Sequence, residues 1–315
     1  MLKLDMSEPQ IIIVPERTPP QRLDVFITQH TTLSRTQAQK HLKAGVIKLN
    51  NQPAKPHHQV KPGDIISLES VDTEIVDRTK TSELHTPHIL FEDDNYLVIA
   101  KPAGLLVHGA PGTHEPTVAD WAVEHAPSIK EVGDQPELRP GIVHRLDRDV
   151  SGVMVVAKSQ AAFADLKQQF QSHSVTKEYV ALAYGRIVDQ SGRITFSIAR
   201  KQDKSGLMVA RPNSQEGRQA ETRFEVDRFV KNLTLVNIRT LTGRSHQIRV
   251  HFKAIGYPLV GDPLYKIKRL RPTKIPIKRV FLHAQRLEFD DLSGQRRQFV
   301  SPLPAELQQF LARAS

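Results

Sequence analysis

The sequence predicts an α+β protein built from two unequal domains. The chain has 315 residues, enough for one large domain or for a small and a larger one. From Gln21 to Glu69 the apolar pattern favours two helices followed by short strands. From Phe91 onward, apolar runs typical of buried strands dominate, and only a few helical patterns lie between them.

Composition and charge limit the kind of protein this can be. The absence of cysteine excludes disulfides, thiolate nucleophiles, iron–sulfur clusters and zinc sites that use Cys. Residues 1–10 lack the apolar segment of a secretory signal, and no apolar run is long enough to span a membrane. Lys and Arg number 44 against 34 Asp and Glu, a formal net charge of +10. We therefore expect a cytoplasmic protein without membrane contacts that binds a polyanion, with nucleic acid as the leading candidate. A surplus of positive charge that only keeps the protein soluble is the alternative.

Charge is concentrated in two clusters, which also help to divide the chain. Seven cations and a single acid, Asp24, lie between Arg22 and Lys61, and seven cations without an acid lie in Lys266–Arg279. Prolines and the lack of a clean period predict a mobile loop for the second cluster. The acidic and polar stretch 70–87 predicts a linker. The predicted organisation is a flexible tail over 1–20, a small module over 21–69, the linker, and a large module over 88–315.

The small module carries a cationic helix. This helix is predicted to begin after Ser34, an N-cap residue with which Gln37 forms a capping box, and to end at Gly45. Short strands follow at 46–49 and 65–68. A cationic helix face and a basic strand suit phosphate binding, and a merely solvated face is the alternative. The candidate RNA-binding residues here are Arg22, Arg35, Lys40, Lys43 and Lys48.

The small module also resembles a known RNA-binding module. Its segments RLDVF, LSRTQAQKHLKAGVIKLNNQPAKP and VKPGDII are similar to the module named after small-subunit ribosomal protein S-four. The resemblance implies structured RNA as the ligand, held by the helix that carries Arg35, Lys40 and Lys43. Other enzymes carry this module too, so it indicates the class of partner and leaves the reaction open.

In the large module, apolar runs predict four strands, and a period of 3.6 predicts one helix. The strands are Tyr96–Ala100, Gly141–His144, Val153–Ala157 and Lys177–Tyr184, and the helix runs from its N-cap Ser159 to Phe170. Between the second and third strands, the turn Arg145–Asp149 (RLDRD) brings two acids and two arginines together. A carboxylate beside an arginine stays ionised at neutral pH and can serve as a nucleophile or base, but the same pattern also suits a structural ion-pair corner.

Three other interpretations of the large module fail. LVIAK followed by HRLDRD lacks the glycine-rich loop, the spacing and the D-F-G sequence of a kinase. The histidines are not spaced as metal ligands, since His57 and His58 are adjacent and His246 and His251 are five apart. GAPGTHEPT lacks the glycine and lysine positions of a nucleotide-binding loop. We therefore predict no cofactor and no metal site.

Longer segments resemble one enzyme family. RPGIVHRLDRDVSGVMVVAKS, TKEYVALAYG and LTGRSHQIRVHFKAIGYPLVGDPLY are similar to the signature blocks of RluA-type pseudouridine synthases, and LVIAKPAGLLVH and FLHAQRLEF to further blocks. They occur in the family's order between Phe91 and Pro304. With the small module, the layout resembles the ribosomal large-subunit synthases of the D and C types. The resemblance implies a mixed, mainly antiparallel central sheet and an isomerase that converts uridine to pseudouridine without a cofactor.

The resemblance also implies roles for five residues of this sequence. Asp147 in HRLD would be the catalytic nucleophile, either attacking C1′ of the ribose or assisting a glycal route in which a proton leaves C2′. Tyr179 would stack on the target base, and Ile248 would form an apolar wall for the uracil. Arg244 would pair with the catalytic aspartate and keep it ionised, and Arg145 would enter the RNA stack as the target nucleotide leaves it.

Three further expectations concern the turn, the basic loop and the partner. Val150 stands where the family has Thr, which leaves the local geometry of the turn open. The second cationic cluster, the loop Lys266–Arg279, is predicted to bind RNA beside the active site. Its candidate RNA-binding residues are Lys266, Lys268, Arg269 and Arg271. Large-subunit ribosomal RNA is the expected partner, without an obligate protein partner. A tRNA-directed synthase and an inactive RNA-binding or ribosome-assembly factor are the alternatives.

Overall fold

The structure, a computed structural model, divides into two compact units, Met1–Glu83 and Leu84–Ser315. It describes residues 10–31, 33, 35–68, 86–109, 115–203, 206–212, 216–267 and 276–314. The expected linker, 70–87, lies outside these residues apart from 86 and 87, as does the expected N-cap Ser34. Within the described part of the chain, no helix is long and apolar enough to cross a membrane.

The small unit combines two helices with short strands. They are β1 (Gln10–Ile13), β2 (Gln21–Arg22), α1 (Leu23–His30), α2 (Arg35–Ala44), β3 (Ile47–Leu49), β4 (Gln52–Pro53), β5 (Gln59–Val60) and β6 (Ile65–Leu68). One sheet has the order β1-β6-β3-β4, and β2 pairs with β5. Gly45 follows α2 with φ +75°, as a residue that ends a helix in the left-handed conformation does. Both helices pack against the strands, with Phe26, Leu42 and Ile66 in the shared core.

The expected flexible tail over 1–20 is wrong for the part that the structure describes. Strand β1 pairs antiparallel with β6 over four residues, from Gln10 opposite Leu68 to Ile13 opposite Ile65. Ile12 and Val14 are buried in the core of the small unit, at 8% and 1% exposure. The strand is short and is followed by proline-rich sequence, so its pairing partner, more than fifty positions along the chain, decides its conformation.

The large unit is built on a nine-stranded sheet. Its strands and helices are β7 (His88–Glu92), β8 (Tyr96–Lys101), α3 (Val118–His125), a 3₁₀ helix (Pro127–Glu131), β9 (Ser151–Ala157), α4 (Gln160–Ser172), β10 (Thr176–Tyr184), β11 (Ser191–Ile194), β12 (Ser197–Arg200), β13 (Met208–Arg211), β14 (Thr222–Val230), β15 (Leu233–Thr240), α5 (Gln247–Ala254), β16 (Leu282–Asp290), β17 (Arg296–Val300) and α6 (Ala305–Ala314). The sheet order is β11-β14-β15-β10-β16-β9-β8-β7, with β17 on β16 and a separate β12-β13 hairpin. Strands β16 and β9 are parallel and the other pairs antiparallel, which confirms the mixed, mainly antiparallel sheet.

Most of the predicted elements of the large module are present, and one is not. Strands β8, β9 and β10 match the prediction, and the Ser159 hydroxyl caps α4 by accepting a hydrogen bond from the Ala162 amide. The strand predicted over Gly141–His144 is wrong. Gly141 has φ +67°, and a Cβ there would lie 2.6 Å from the Ala157 carbonyl oxygen. The segment instead turns beside β9, and the turn that carries Asp147 follows it.

Candidate active site

A cleft of about 580 Å³ collects most of the residues that the sequence singled out in the large unit. Its walls come from the turn 142–150, from β10, from the segment between β15 and the first turn of α5, and from α4, with His108, Asp134 and Arg139 also lining it. Asp147, Tyr179, Arg145, Arg244 and Ile248 all line it. Three segments far apart in the sequence therefore meet at one site.

A buried lysine holds the turn that carries Asp147. The Lys101 ammonium donates to the carbonyl oxygens of Pro102 at 2.8 Å, Leu105 at 2.7 Å and Arg148 at 3.0 Å. Burial lowers the pKa of Lys101 to about 7. Because one of these carbonyls belongs to the residue after Asp147, the lysine fixes the backbone that positions the carboxylate. Sequence reasoning gave Lys101 no role, since its partners are backbone atoms from two separate segments.

Val150, at the position where the family has Thr, preserves a backbone hydrogen bond of the turn that carries Asp147. The Val150 amide donates to the Asp147 carbonyl oxygen at 3.1 Å, a backbone bond that needs no hydroxyl group. The Val150 side chain is 2% exposed and packs in the main core of the large unit. An apolar side chain at this position therefore fits its surroundings.

The partner of Asp147 is Arg249, and the prediction that Arg244 pairs with it is wrong. Nη1 of Arg249 donates to Oδ2 of Asp147 at 3.0 Å, whereas Nε of Arg244 donates to the Gln219 carbonyl oxygen at 3.0 Å. The physical reason is the position of α5, which begins at Gln247. Arg249 lies in its first turn and points into the buried end of the cleft, while Arg244 precedes the helix.

Arg249 also binds a second, fully buried carboxylate. Its Nε and Nη2 donate to the two oxygens of Asp262 at 2.7 and 2.9 Å. Burial would raise the pKa of Asp262, but the hydrogen bonds and charge of Arg249 outweigh it and lower that pKa. The same carboxylate accepts from the backbone amides of Leu264 and Tyr265. Asp262 therefore holds the guanidinium that in turn holds Asp147.

The second oxygen of Asp147 faces a histidine. Nε2 of His246 lies 4.0 Å from Oδ1 of Asp147, and the other ring nitrogen, Nδ1, is 2.7 Å from the Tyr265 hydroxyl. That hydroxyl accepts a hydrogen bond from the Met208 amide. Burial lowers the pKa of His246, and the charge of Asp147 opposes the shift. His246 has φ 55°, an uncommon left-handed conformation for a residue with a side chain.

Tyr179 and Ile248 add an aromatic and an aliphatic side chain to the lining of the cleft. Burial raises the pKa of Tyr179 to about 12, a hydrogen bond with Thr240 opposes the shift, and the charge of Asp147 adds to it. The phenol is therefore neutral at physiological pH and lies within electrostatic reach of Asp147. Ile248 is 5% exposed and belongs to the same first turn of α5 as Arg249.

Arg145 lies at the exposed side of the cleft and contacts a histidine there. Its Nη1 is 3.2 Å from Nε2 of His108, whose Nδ1 is 3.1 Å from the Gly109 carbonyl oxygen. Arginine can only donate, so Nε2 accepts and Nδ1 carries the proton. The histidine thereby orients the guanidinium. It was not singled out in the sequence because it lies 37 positions from Arg145.

Several cations of the two clusters form hydrogen bonds or ion pairs within the protein. Arg22 and Arg35 both donate to the buried carboxylate of Asp24, at 3.0 and 3.1 Å. Arg279, the last cation of the second cluster, is buried and donates to Ser151 Oγ and to Glu306. Lys266 is exposed, and Lys48 lies on β3. The side chains of Lys40, Lys43, Lys268, Arg269 and Arg271 lie outside the described residues.

Comparison with known proteins identifies the family. The family model described as RNA pseudouridylate synthase matches residues 95–254, and the S4 domain model matches residues 21–66. The chain belongs to the RNA pseudouridylate synthase family. It is therefore an isomerase that acts on RNA, and its small unit carries an RNA-binding S4 domain. Asp147 and its ion-pair partner Arg249 both lie within the matched range.

Relatives of this synthase match over almost the whole chain. It is 35% identical to "Uncharacterized RNA pseudouridine synthase YlyB" of Bacillus subtilis, covering 95% of this chain and 96% of that protein. It is 34% identical to "Ribosomal large subunit pseudouridine synthase D" of Vibrio parahaemolyticus, covering 91% and 89%. Among solved structures, "Human RNA Pseudouridylate Synthase Domain Containing 4" superposes with a TM-score of 0.59 at 26% identity, covering 75% and 96%. The matches confirm the family that the signature segments indicate.

Proposed function

We propose that this pseudouridine synthase uses Asp147 as its nucleophile and modifies uridines of large-subunit ribosomal RNA. The assignment of Asp147 as the nucleophile rests on the different surroundings of its two carboxylate oxygens. Oδ2 is bound by Arg249 at 3.0 Å, whereas Oδ1 is 4.0 Å from His246 Nε2. The side chain keeps 20% of its surface exposed, towards the cleft. A carboxylate held through one oxygen leaves the other for the substrate.

The reaction requires an ionised carboxylate that faces the ribose of the target nucleotide. The bond between C1′ of the ribose and N1 of uracil breaks, the base rotates, and C5 bonds to C1′. A proton then leaves C5, and N1 gains a proton in place of its bond to the ribose, so that the overall change is an isomerisation. Oδ1 of Asp147 either attacks C1′ as N1 leaves and is displaced when C5 bonds to C1′, or it accepts the C2′ proton in the glycal route and returns it to C2′ when C5 bonds to C1′. Arg249 supplies the positive charge that favours the carboxylate form in both routes. Its own charge is secured by Asp262, because the two carboxylates together outweigh the cost of burying the guanidinium and raise its pKa.

The remaining cleft residues position the nucleotide in this proposal. Tyr179 supplies an aromatic face for the target base, and Ile248 supplies an apolar wall beside it. A base must leave its stack to reach Asp147, which costs a few kcal/mol of stacking. Arg145, exposed and oriented by His108, takes the vacated place, since a planar guanidinium can stack between bases.

Large-subunit ribosomal RNA is supported as the target by the relatives and by the small unit. The D-type synthase of Vibrio parahaemolyticus, named for the ribosomal large subunit, matches over 91% of this chain. This chain also carries an S4 domain over residues 21–66. In the small unit, Asp24 holds Arg22 and Arg35 in fixed directions, from which their remaining donors can bind phosphates. Lys40, Lys43 and Lys48, and the loop residues Lys266, Lys268, Arg269 and Arg271, are proposed as further RNA contacts.

Mapping of pseudouridine in total RNA tests the target and the nucleophile together. Cells lacking the protein are compared with cells that carry the native protein or Asp147→Asn. We expect specific large-subunit uridines to lose the modification in the deletion strain and with Asp147→Asn. Loss of pseudouridine at tRNA positions instead would show that the target is tRNA. Pseudouridines that are lost in the deletion strain but retained with Asp147→Asn would exclude Asp147 as the nucleophile.

A further inference from the structure

Lys177 is a buried cation in the active-site cleft, and its ammonium lacks a protein partner among the described residues. It lies on β10 and is 7% exposed. Its Nζ lies 5.9 Å from the centroid of the Phe170 ring. Lys101 is buried to a similar degree but donates to three carbonyl oxygens. The difference sets Lys177 apart from a lysine that only supports the fold.

Lys177 faces the same cleft as the proposed base-stacking tyrosine. Both Lys177 and Tyr179 line the cleft, whereas Glu178 between them does not, as expected for alternate residues of a strand. Residues two apart on a strand are separated by about 7 Å. A nucleotide whose base lies on Tyr179 therefore has a neighbouring part of its backbone within reach of the lysine.

The surroundings of Lys177 add positive charge. Burial, together with the smaller effect of the Arg244 charge, lowers the pKa of Lys177 to about 8. Arg244 is partly exposed on the cleft wall and uses Nε for the Gln219 carbonyl oxygen. The two carboxylates of the cleft are engaged elsewhere, Asp134 with Lys167 at 2.8 Å and Asp147 with Arg249 at 3.0 Å. A largely buried ammonium with a cation beside it is stabilised by an anion that completes the site.

We propose that Lys177, together with Arg244, binds a backbone phosphate of the RNA next to the nucleotide in the cleft. This rests on the proposed function, in which the RNA strand enters this cleft. The phosphate is the anionic group of RNA, and a pair of cations without a carboxylate between them suits it better than the neutral carbonyls of uracil do. The site then fixes the register of the strand, so that one nucleotide at a time lies opposite Asp147.

The test uses the full chain and an RNA oligonucleotide that spans a uridine found by mapping. Lys177→Gln removes the charge, Lys177→Arg keeps it, and Lys130→Gln removes the charge of an exposed lysine that does not line the cleft. Each protein is assayed with RNA that carries natural phosphates and with RNA in which the phosphate on either side of the target is a neutral methylphosphonate.

We expect Lys177→Gln to raise KM about tenfold, since a charged hydrogen bond is lost, while the maximal rate changes little. The dependence of log K on log salt should become shallower by about 0.7, the value for one contact on a single strand. With one of the two methylphosphonate RNAs, the KM of the native protein should rise about tenfold as well, whereas the KM of Lys177→Gln should be the same as with natural RNA. Lys177→Arg should keep most of the affinity, and Lys130→Gln should behave as the native protein does.

Thermal unfolding of the same variants separates binding from folding. Lys177→Gln should unfold at the native temperature or above it, because it removes a buried cation without a protein partner. An unchanged KM and salt slope, or a methylphosphonate effect that survives in Lys177→Gln, would overturn the inference although the native protein still modifies the RNA. Failure of the native protein to modify this RNA would overturn the proposed function and, with it, the phosphate site.

Discussion

Arg249 holds Asp147 through a single hydrogen bond of 3.0 Å, and the rest of its guanidinium is committed to a second carboxylate. Asp147 is therefore positioned by a chain of contacts that ends on the fully buried Asp262. This arrangement keeps one oxygen of Asp147 available to the substrate while the other is fixed. Arg244, in the same short segment as Arg249, donates to the Gln219 carbonyl oxygen instead.

Substitution of Arg249 should slow the reaction without weakening RNA binding. Arg249→Lys keeps the charge but loses the fork that spans two carboxylates. We expect the single-turnover rate to fall about a hundredfold, as for a misplaced catalytic group, with KM close to the native value. Arg244→Gln provides the contrast, because it should raise KM and spare the rate. Equal effects of both substitutions on the rate would contradict the assignment.

Loss of the Asp262 carboxylate should destabilise the large unit. Asp262→Asn leaves the buried Arg249 with one carboxylate in place of two, and breaking a buried pair costs about 3–5 kcal/mol. The free energy of unfolding in urea measures the loss. Asp94→Asn, at an exposed position, is the matched control and should stay within about 0.5 kcal/mol of the native protein. A loss no larger than that of the control would show that Asp262 does not anchor the arginine.

The small unit should lose stability in acid through Asp24. Burial alone would raise the pKa of Asp24, but hydrogen bonds from Arg22, Gln39 and Arg35 outweigh it and lower the pKa from 3.8 to about 2. A carboxylate with a depressed pKa stabilises the fold above pH 4, and this contribution disappears as the pH falls towards 2. Unfolding of the native protein and of Asp24→Asn should therefore differ at pH 6 and converge near pH 2. A difference that persists at pH 2 would contradict the pairing.

Gly141 should not tolerate a side chain. Gly141→Ala places a Cβ 2.6 Å from the Ala157 carbonyl oxygen in a residue with φ +67°. Backbone strain of this kind costs about 1–3 kcal/mol before the steric clash is counted. Gly243→Ala is the control, since nothing lies within 4 Å of its Cβ position and φ is not in the left-handed region. Chemical unfolding that shows equal losses for both variants would refute the steric explanation.

The sequence singles out Asp147 but not the residues that hold its carboxylate in place. Asp147 and Tyr179 lie in long segments with a family pattern, so their meeting in one cleft follows from the resemblance. The choice between Arg244 and Arg249 depends on where α5 begins, which no pattern in TGRSHQIR determines. Asp262, His108 and Lys101 act through partners from separate segments, and such contacts leave no periodic signal in the chain.

The fold shows the same division between local and long-range information. The helix that begins after Ser159 and strands β8 to β10 follow from local capping and apolar runs. Strand β1 depends on pairing with β6, and Arg279, the end of an apparently free basic run, is buried against Ser151 and Glu306. Tertiary contacts, rather than propensity, decide these positions.

The central claim is that Asp147 performs the chemistry. The most direct measurement is release of tritium from C5 of labelled uridine in a single turnover by purified native protein, Asp147→Asn and Asp149→Asn. Asp149 belongs to the same turn, so its substitution controls for the local loss of charge. We predict no detectable release with Asp147→Asn while its RNA affinity and folding stay native, and ready release with Asp149→Asn. Release by Asp147→Asn at the native rate would contradict the claim.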